Sequence, residues 1–215
     1  SLLSRFAHYN PWSQGQVLNL MLKYEPTSQD EVIAVLNLLD PLLKSATAQV
    51  VLSVATLFLK FTQNYKDLHT AVFPRLKDPL ITITSGANVE TTYVVLSHML
   101  LLAQIQPSIF ADLQRKFYLK TSDPVYLKSI KIELLQAISR ASSILNLQEL
   151  ITELSMYAHD QNPSIAHLAT HAMTRTILRD ASPSSPTDTS RTNPVALKIA
   201  EQVVGELVSL LEINW

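Results

Sequence analysis

Glycine is scarce: three residues in a chain of 215. So few cannot supply the left-handed positions that many tight turns require, which argues against an all-β sandwich and against a glycine-rich phosphate loop. Cysteine is absent, which removes disulfide scaffolds, thiolate metal sites and thiol catalysis together. No charge sign dominates: 17 basic residues stand against 18 acidic ones, so no global field steers nucleic acid or an anionic membrane. Long hydrophobic runs are missing too. The longest, Tyr93 to Ile105, is broken by Ser97, His98 and Gln104 and is too short to span a bilayer. The first residues lack a charged start followed by an apolar run, and the Asn162-Pro163-Ser164 triplet carries proline where N-glycosylation forbids it. A soluble intracellular chain is the expectation, and the missing initiator methionine suggests a piece of something longer.

Apolar residues instead recur at helical spacing, and the breaks between runs carry capping chemistry. Ser28-Gln29-Asp30-Glu31 reads as a capping box, with the Glu31 side chain reaching back to the Ser28 amide. Behind it Val32, Val35, Leu36, Leu39 and Leu43 form a stripe that Pro41 should interrupt near Asp40. Thr47 is placed to cap a run from Ala48 to Phe61. Leu68, Val72, Phe73 and Leu76 predict a shorter helix, with Pro74 near a break. Asn88 caps a helix through Gln104. Asp123-Pro124, Asn162-Pro163 and Asn193-Pro194 each offer a side-chain acceptor followed by a proline at the first helical position. Asn146 is the expected cap of Leu147 to Ala158. Ile81-Thr82-Ile83-Thr84 alternates like a strand but has no partner to pair with.

About ten helices and no strand result. The more apolar ones start near Ser13, Thr47, Asn88, Asp123 and Asn162, so the starts differ by 34, 41, 35 and 39 positions. That irregular period of roughly 37 lies in the range of stacked helix-pair repeats. One helix hydrophobic nearly all round, followed by a half-polar one, is what a two-layer stack needs. The expected fold is all-α, an α-α superhelix of the HEAT/armadillo-like helical-repeat type, in a single segment over 1–215. Residues 180–193, without a large apolar side chain, are expected to be a flexible loop insertion. Ser182 and Ser185, each followed by proline, are its only modification candidates.

Chemistry is sparse. His167 and His171 share a helix face at i and i+4, but neither a cysteine nor an adjacent glutamate completes a ligand set, so a solvated face is the expectation. His98, among Leu96, Met99 and Leu100, reads as a hydrogen-bonded core or groove histidine. Glu149 and Glu153 are four apart, yet nothing marks them as a buried acid/base pair. Glu133, Lys128 and Lys131 read as ordinary charged surface. Ser85-Gly86-Ala87-Asn88 is a loop before a helix, since the other glycines and the lysine of a phosphate cradle are missing. Arg115, Lys116 and Lys120, interleaved with Phe117 and Tyr118, suggest aromatic anchors with wet charges more than a nucleic-acid reader. No catalytic, cofactor-binding or metal-binding residue is assigned, and no nucleic-acid partner is expected.

The segments Ala48 to Phe61 (AQVVLSVATLFLKF), Tyr93 to Leu102 (YVVLSHMLLL) and above all Phe117 to Lys131 (FYLKTSDPVYLKSIK) are similar to the trunk of β-adaptins. These are the large β chains of the heterotetrameric adaptor complexes that build vesicle coats. Residues 12–180 follow the family pattern, whereas 180–193 depart from its usual short connector. Leu36 to Leu43 and Thr56 to Thr62 resemble most the β chain of the fourth adaptor complex. The resemblance implies a non-catalytic scaffold in vesicle-mediated intracellular protein transport and cargo sorting. Its implied partners are the other large, the medium and the small adaptor subunits. The implied location is cytoplasmic, peripheral on Golgi, trans-Golgi or endosomal membranes through the complex. It also implies a segment from the later part of the trunk, with the first helices before Ser1 and any hinge and appendage beyond Trp215. The residues themselves leave two other readings open. One is a different helical-repeat scaffold, karyopherin-like or a phosphatase regulatory chain. The other is a helical enzyme using His98 or His167 with a carboxylate.

Overall fold

A computed structural model describes Phe6, residues 9–180 and five positions between 201 and 208. Among the described residues the regular structure is entirely helical, with eight α-helices and three 3-10 segments. The all-α helical-repeat fold read from the sequence is the fold observed. None of these residues has a positive φ, glycines included. The shortage of glycine therefore has a structural counterpart, because every connection is built from right-handed and extended conformations. Among the described residues no helix is long and apolar enough to cross a membrane. The expected loop at 180–193, with Ser182 and Ser185, and the Asn193-Pro194 start lie outside the described residues.

The chain forms two compact units, Ser1–Met99 and Leu100–Trp215. In the first, α1 (Pro11–Met21), α2 (Gln29–Leu39), a 3-10 turn (Asp40–Lys44), α3 (Ala48–Thr62) and α4 (Lys66–Gly86) precede α5 (Val89–Ile105), which runs across the boundary in sequence. The central element is α3, packed against α1, α2, α4 and the 3-10 turn. Val50, Val51, Val54, Leu57 and Phe58 on it are completely buried. Each such side chain contributes about 1.5–3 kcal/mol on removal from water, which is why the most apolar helix takes the middle. In the second unit two 3-10 segments, Pro107–Ile109 and Ala111–Phe117, lead to α6 (Val125–Ser139), α7 (Ile144–Ala158) and α8 (Pro163–Asp180). Here α6 is central, touching α7, α8 and both 3-10 segments, with Ile132, Leu134, Leu135 and Ile138 fully buried.

The starts of α1, α3, α5, α6 and α8 keep the expected repeat. A second α-helix follows α1, α3 and α6, but after α5 the corresponding place is taken by the two 3-10 segments. Pro107 opens the first of these. In the second, the buried Gln114 directs its amide to Asn146 and Tyr118.

Local starts show where side chains outvote a position. Asn10 accepts the Ser13 amide and Pro11 opens α1, the Asn-Pro device seen again at Asn162-Pro163, where Asn162 accepts the Ser164 amide. Asp123-Pro124 does not follow it. Pro124 is extended and itself the cap position, while Asp123 turns inward to Lys131. Ser143, not Asn146, caps α7, so that helix begins three residues before the expected Leu147. Thr47 occupies the cap position of α3 without a capping side-chain bond. Ser28 accepts the Glu31 amide as expected, and the Glu31 carboxylate accepts the amide and hydroxyl of Thr27 while also drawing on the Ser28 amide. The largest difference is α4. It runs for 21 residues through both Pro74 and Pro79 and absorbs the alternating Ile81–Thr84 segment. Val72, Phe73, Leu76 and Leu80 form one buried stripe across both prolines, and that stripe holds the helix together.

Candidate functional site

A shallow groove of about 470 Å³ lies in the first unit between α1, α3 and α5. On α3, Gln49, Leu52, Ser53 and Thr56 line it. Their spacing of i, i+3, i+4 and i+7 places them on one helix face. That face adjoins the stripe buried in the core, so the helix serves both. Across the groove α5 contributes Glu90, Thr91, Val94 and His98, and Leu22 with Asn19 closes the α1 end. Its surface is apolar where Leu22, Leu52 and Val94 meet, with hydroxyl and amide groups along the sides. Lys60 of α3 donates to the Leu22 carbonyl at the end of α1, a cation where the helix dipole is negative. Gly15 of α1 faces Gln49 of α3, whose side-chain nitrogen would lie 2.3 Å from a methyl group added there.

His98 belongs to this groove, in keeping with its sequence reading. Its Nδ1 lies 3.0 Å from the Val94 carbonyl, an acceptor to which an Nδ1–H donates. Within the first unit Glu90 is the carboxylate that shares the groove lining with His98, and neither residue is joined to the other by a hydrogen bond among those resolved.

The remaining sequence candidates lie in the second unit. His167 and His171 are both exposed on α8, outside the buried stripe of Ile165, Ala169, Ala172 and Met173. Among the described residues no group of three or more His, Asp or Glu side chains is placed to hold a metal. Glu149 and Glu153 do not act on each other. Arg115 grips Glu149 through two nitrogens, at 3.0 and 2.5 Å. Those hydrogen bonds hold the carboxylate below its usual range and push the guanidinium up. Glu153 instead accepts the Tyr157 hydroxyl, and that same oxygen accepts the Leu119 amide at 2.9 Å. Burial first, and the Glu153 bond second, drive the Tyr157 phenol far upward, so it stays protonated.

Phe117 is buried edge-on against Phe110, and Tyr118 accepts from Gln114, so the aromatics between the basic residues are anchors and not an open stacking platform. Lys128 and Lys131, expected at the surface, are drawn inward. Lys131 reaches Asp123 at 2.6 Å and Lys128 reaches Asp160 at 2.7 Å, with all four side chains less than a fifth exposed. The Lys128 bond, helped by the Asn162 amide, lowers the Asp160 carboxyl. Glu133 remains exposed. Sequence reading missed Gln114 and Asp160, whose roles depend on partners some thirty positions away: Asn146 for the one, Lys128 for the other. Tyr157 was legible only as a member of the apolar stripe. These polar groups are paired with one another and form a frame within the second unit.

The adaptin N-terminal region family matches residues 1–210. The AP-4 complex subunit beta of Dictyostelium discoideum is 34% identical over 175 residues, covering 80% of this chain. Beta-adaptin-like protein A of Arabidopsis thaliana is 35% identical over 177 residues, or 82% of it. The human AP-1 complex subunit beta-1 reaches 28% over 181 residues. The chain spans only 21% of the length of the first two relatives. Among solved structures, the CEP104 TOG domain aligns over 97% of this chain and 91% of its own with a TM-score of 0.50 at 12% identity, a likeness of fold alone. With a family match over nearly its whole length and β-subunit relatives at about a third identity, the chain belongs to the adaptin N-terminal region family and is β-adaptin-like.

Proposed function

We propose that this chain is a segment of the large β subunit of an adaptor complex and serves as a non-catalytic scaffold in vesicle-mediated intracellular protein transport and cargo sorting. The family match over residues 1–210 carries the reading. It favours an adaptin over a karyopherin-like carrier or a phosphatase regulatory chain. The arrangement of the titratable groups supports the non-catalytic part, because the carboxylates and the tyrosine that approach each other are consumed in ion pairs and hydrogen bonds. On this reading the partners are the other large, the medium and the small subunits. The protein is cytoplasmic and reaches Golgi, trans-Golgi or endosomal membranes only through the assembled complex. The segment forms a later part of the trunk. Helical-repeat proteins bind over wide surfaces rather than through a few reactive groups, and the groove with exposed Val94 is a surface of that kind.

The test is purification of the full-length protein from its own cells under mild conditions, with identification of what accompanies it. Stoichiometric recovery of one other large, one medium and one small adaptor subunit is expected. Ser53→Arg and Val94→Glu, both on the groove wall, should lower that recovery while unfolding stays unchanged. Recovery alone, or with a guanine-nucleotide-loaded transport factor or a phosphatase catalytic subunit, refutes the assignment.

A further inference from the structure

Helix α4 is stable by its first half only. Pro74 and Pro79 remove the amide hydrogens that would bond the carbonyls of Thr70 and Arg75, and each ring crowds the carbonyl four positions back. Beyond Pro79 stand four consecutive β-branched residues, Ile81, Thr82, Ile83 and Thr84, which lose side-chain freedom in a helix and favour extended backbone. Gly86 ends the run, and the cap residue Ala87 is already extended at φ −84° and ψ 156°. Packing compensates only as far as Leu80. After Leu80 no side chain is buried until Val95. Hydroxyls do part of the holding instead: Thr82 bonds the Asp78 carbonyl, and both Thr84 and Ser85 bond that of Ile81. Such back-bonds compete with the helical amides for the same oxygens.

We propose that the last two turns of α4, Pro79–Gly86, are a conformational switch that leaves the helix for an extended form without the opening of α3 or of Lys66–Phe73. Two independent observations converge on it: the strand-like alternation in sequence, and in the structure the amide missing at Pro79 together with side chains at 81–86 none of which is buried. The consequence falls on the groove. In the helical state only Ala87 and Asn88 separate α4 from α5, so the wall carrying Glu90 and Thr91 is tethered tightly. Melting of the two turns lengthens that tether to about ten residues and slackens the wall, on the order of 30 Å of reach at full extension.

Hydrogen exchange followed by mass spectrometry on the full-length protein tests this. Amides of residues 80–86 should exchange on the order of 100-fold or more faster than those of residues 50–61 in α3, through an opening of their own. Pro79→Ala restores the bond to the Arg75 carbonyl and should slow exchange in 80–86 on the order of 10- to 100-fold, with α3 unaffected. Protection of 80–86 equal to that of α3, or exchange of the two only together, overturns the proposal in the unmodified protein. An unchanged rate in Pro79→Ala overturns the part assigned to the proline.

Discussion

Asp123 and Lys131 offer the sharpest test of the frame in the second unit. The Lys131 ammonium lies 2.6 Å from Asp123 Oδ2, with side chains only 8% and 10% exposed. The same oxygen accepts the Lys120 amide at 2.8 Å, and the ammonium keeps one long contact, 3.4 Å, to the Tyr118 carbonyl. Asp123→Ala therefore strands a buried cation with a single weak acceptor. Removing one partner of a buried pair costs about 3–5 kcal/mol. In a unit of this size that lowers the midpoint of thermal unfolding on the order of 10–20 °C or more. Lys131→Met strands a carboxylate that still holds the Lys120 amide, so its cost should be smaller, about 2–3 kcal/mol. The double variant, Asp123→Asn with Lys131→Met, keeps an acceptor for that amide and buries no charge. It should return to within about 1 kcal/mol of the parent. Urea unfolding at neutral pH, followed by far-ultraviolet circular dichroism, measures all three. A single-variant cost below about 1 kcal/mol, the value of an exposed pair, refutes the reasoning. So does a double variant as unstable as the sum of the singles.

Tyr157→Phe removes the hydroxyl that accepts the Leu119 amide and donates to Glu153. It should cost about 1–2 kcal/mol with no loss of helix content, and a neutral result would show the contact idle. Asp160 is held below the ordinary aspartate range by Lys128, so its stabilising contribution is complete above that range and disappears as the pH falls through the lowered folded value. An acid-unfolding series should show Lys128→Met less sensitive than the parent below about pH 4, and equal slopes would contradict the assignment. Gly15→Ala meets only the far end of the exposed Gln49 side chain. That side chain can swing away, and alanine should raise stability by up to ~1 kcal/mol; a loss of similar size in chemical unfolding would mean that α1 and α3 cannot yield.

What the sequence disclosed depended on range. Buried stripes with helical period were fully legible: Leu150, Ile151, Leu154 and Tyr157 face the core together, as do Ile165, Ala169, Ala172 and Met173. Asn88 and Asn162 were readable as caps because the amides they satisfy are two or three residues away. Asp123 was misread for the opposite reason. A cap and a buried ion pair use the same carboxylate, and Lys131, eight residues on, wins it because burial strengthens the charge interaction. The length of α4 was misjudged because local propensity argues for a break at Pro74, while the stripe Phe73–Leu76–Leu80 carries the chain across it. Of the groove, only His98 was anticipated. Its other walls come from three helices, and no spacing rule within one helix reveals which faces will meet.

In the segment that most strongly resembled β-adaptins, Phe117 to Lys131, several of the distinctive side chains are tied down: Phe117 lies on Phe110, Tyr118 is bound by Gln114, and Asp123 is paired with Lys131. Residues under that constraint report on the frame, and a frame is what the members of a family have in common. Partner choice belongs to side chains that the frame leaves free. On α3 the two roles alternate within single turns: Val50, Val51, Val54 and Leu57 are locked in the core, whereas Gln49, Ser53 and Thr56 face the groove. Exchanges at the second set cost little stability because they open no cavity, so they can vary between subunits of different complexes while the helix stays where it is. The 34% identity to one β relative and 28% to another therefore say little about partners until they are divided between these two sets.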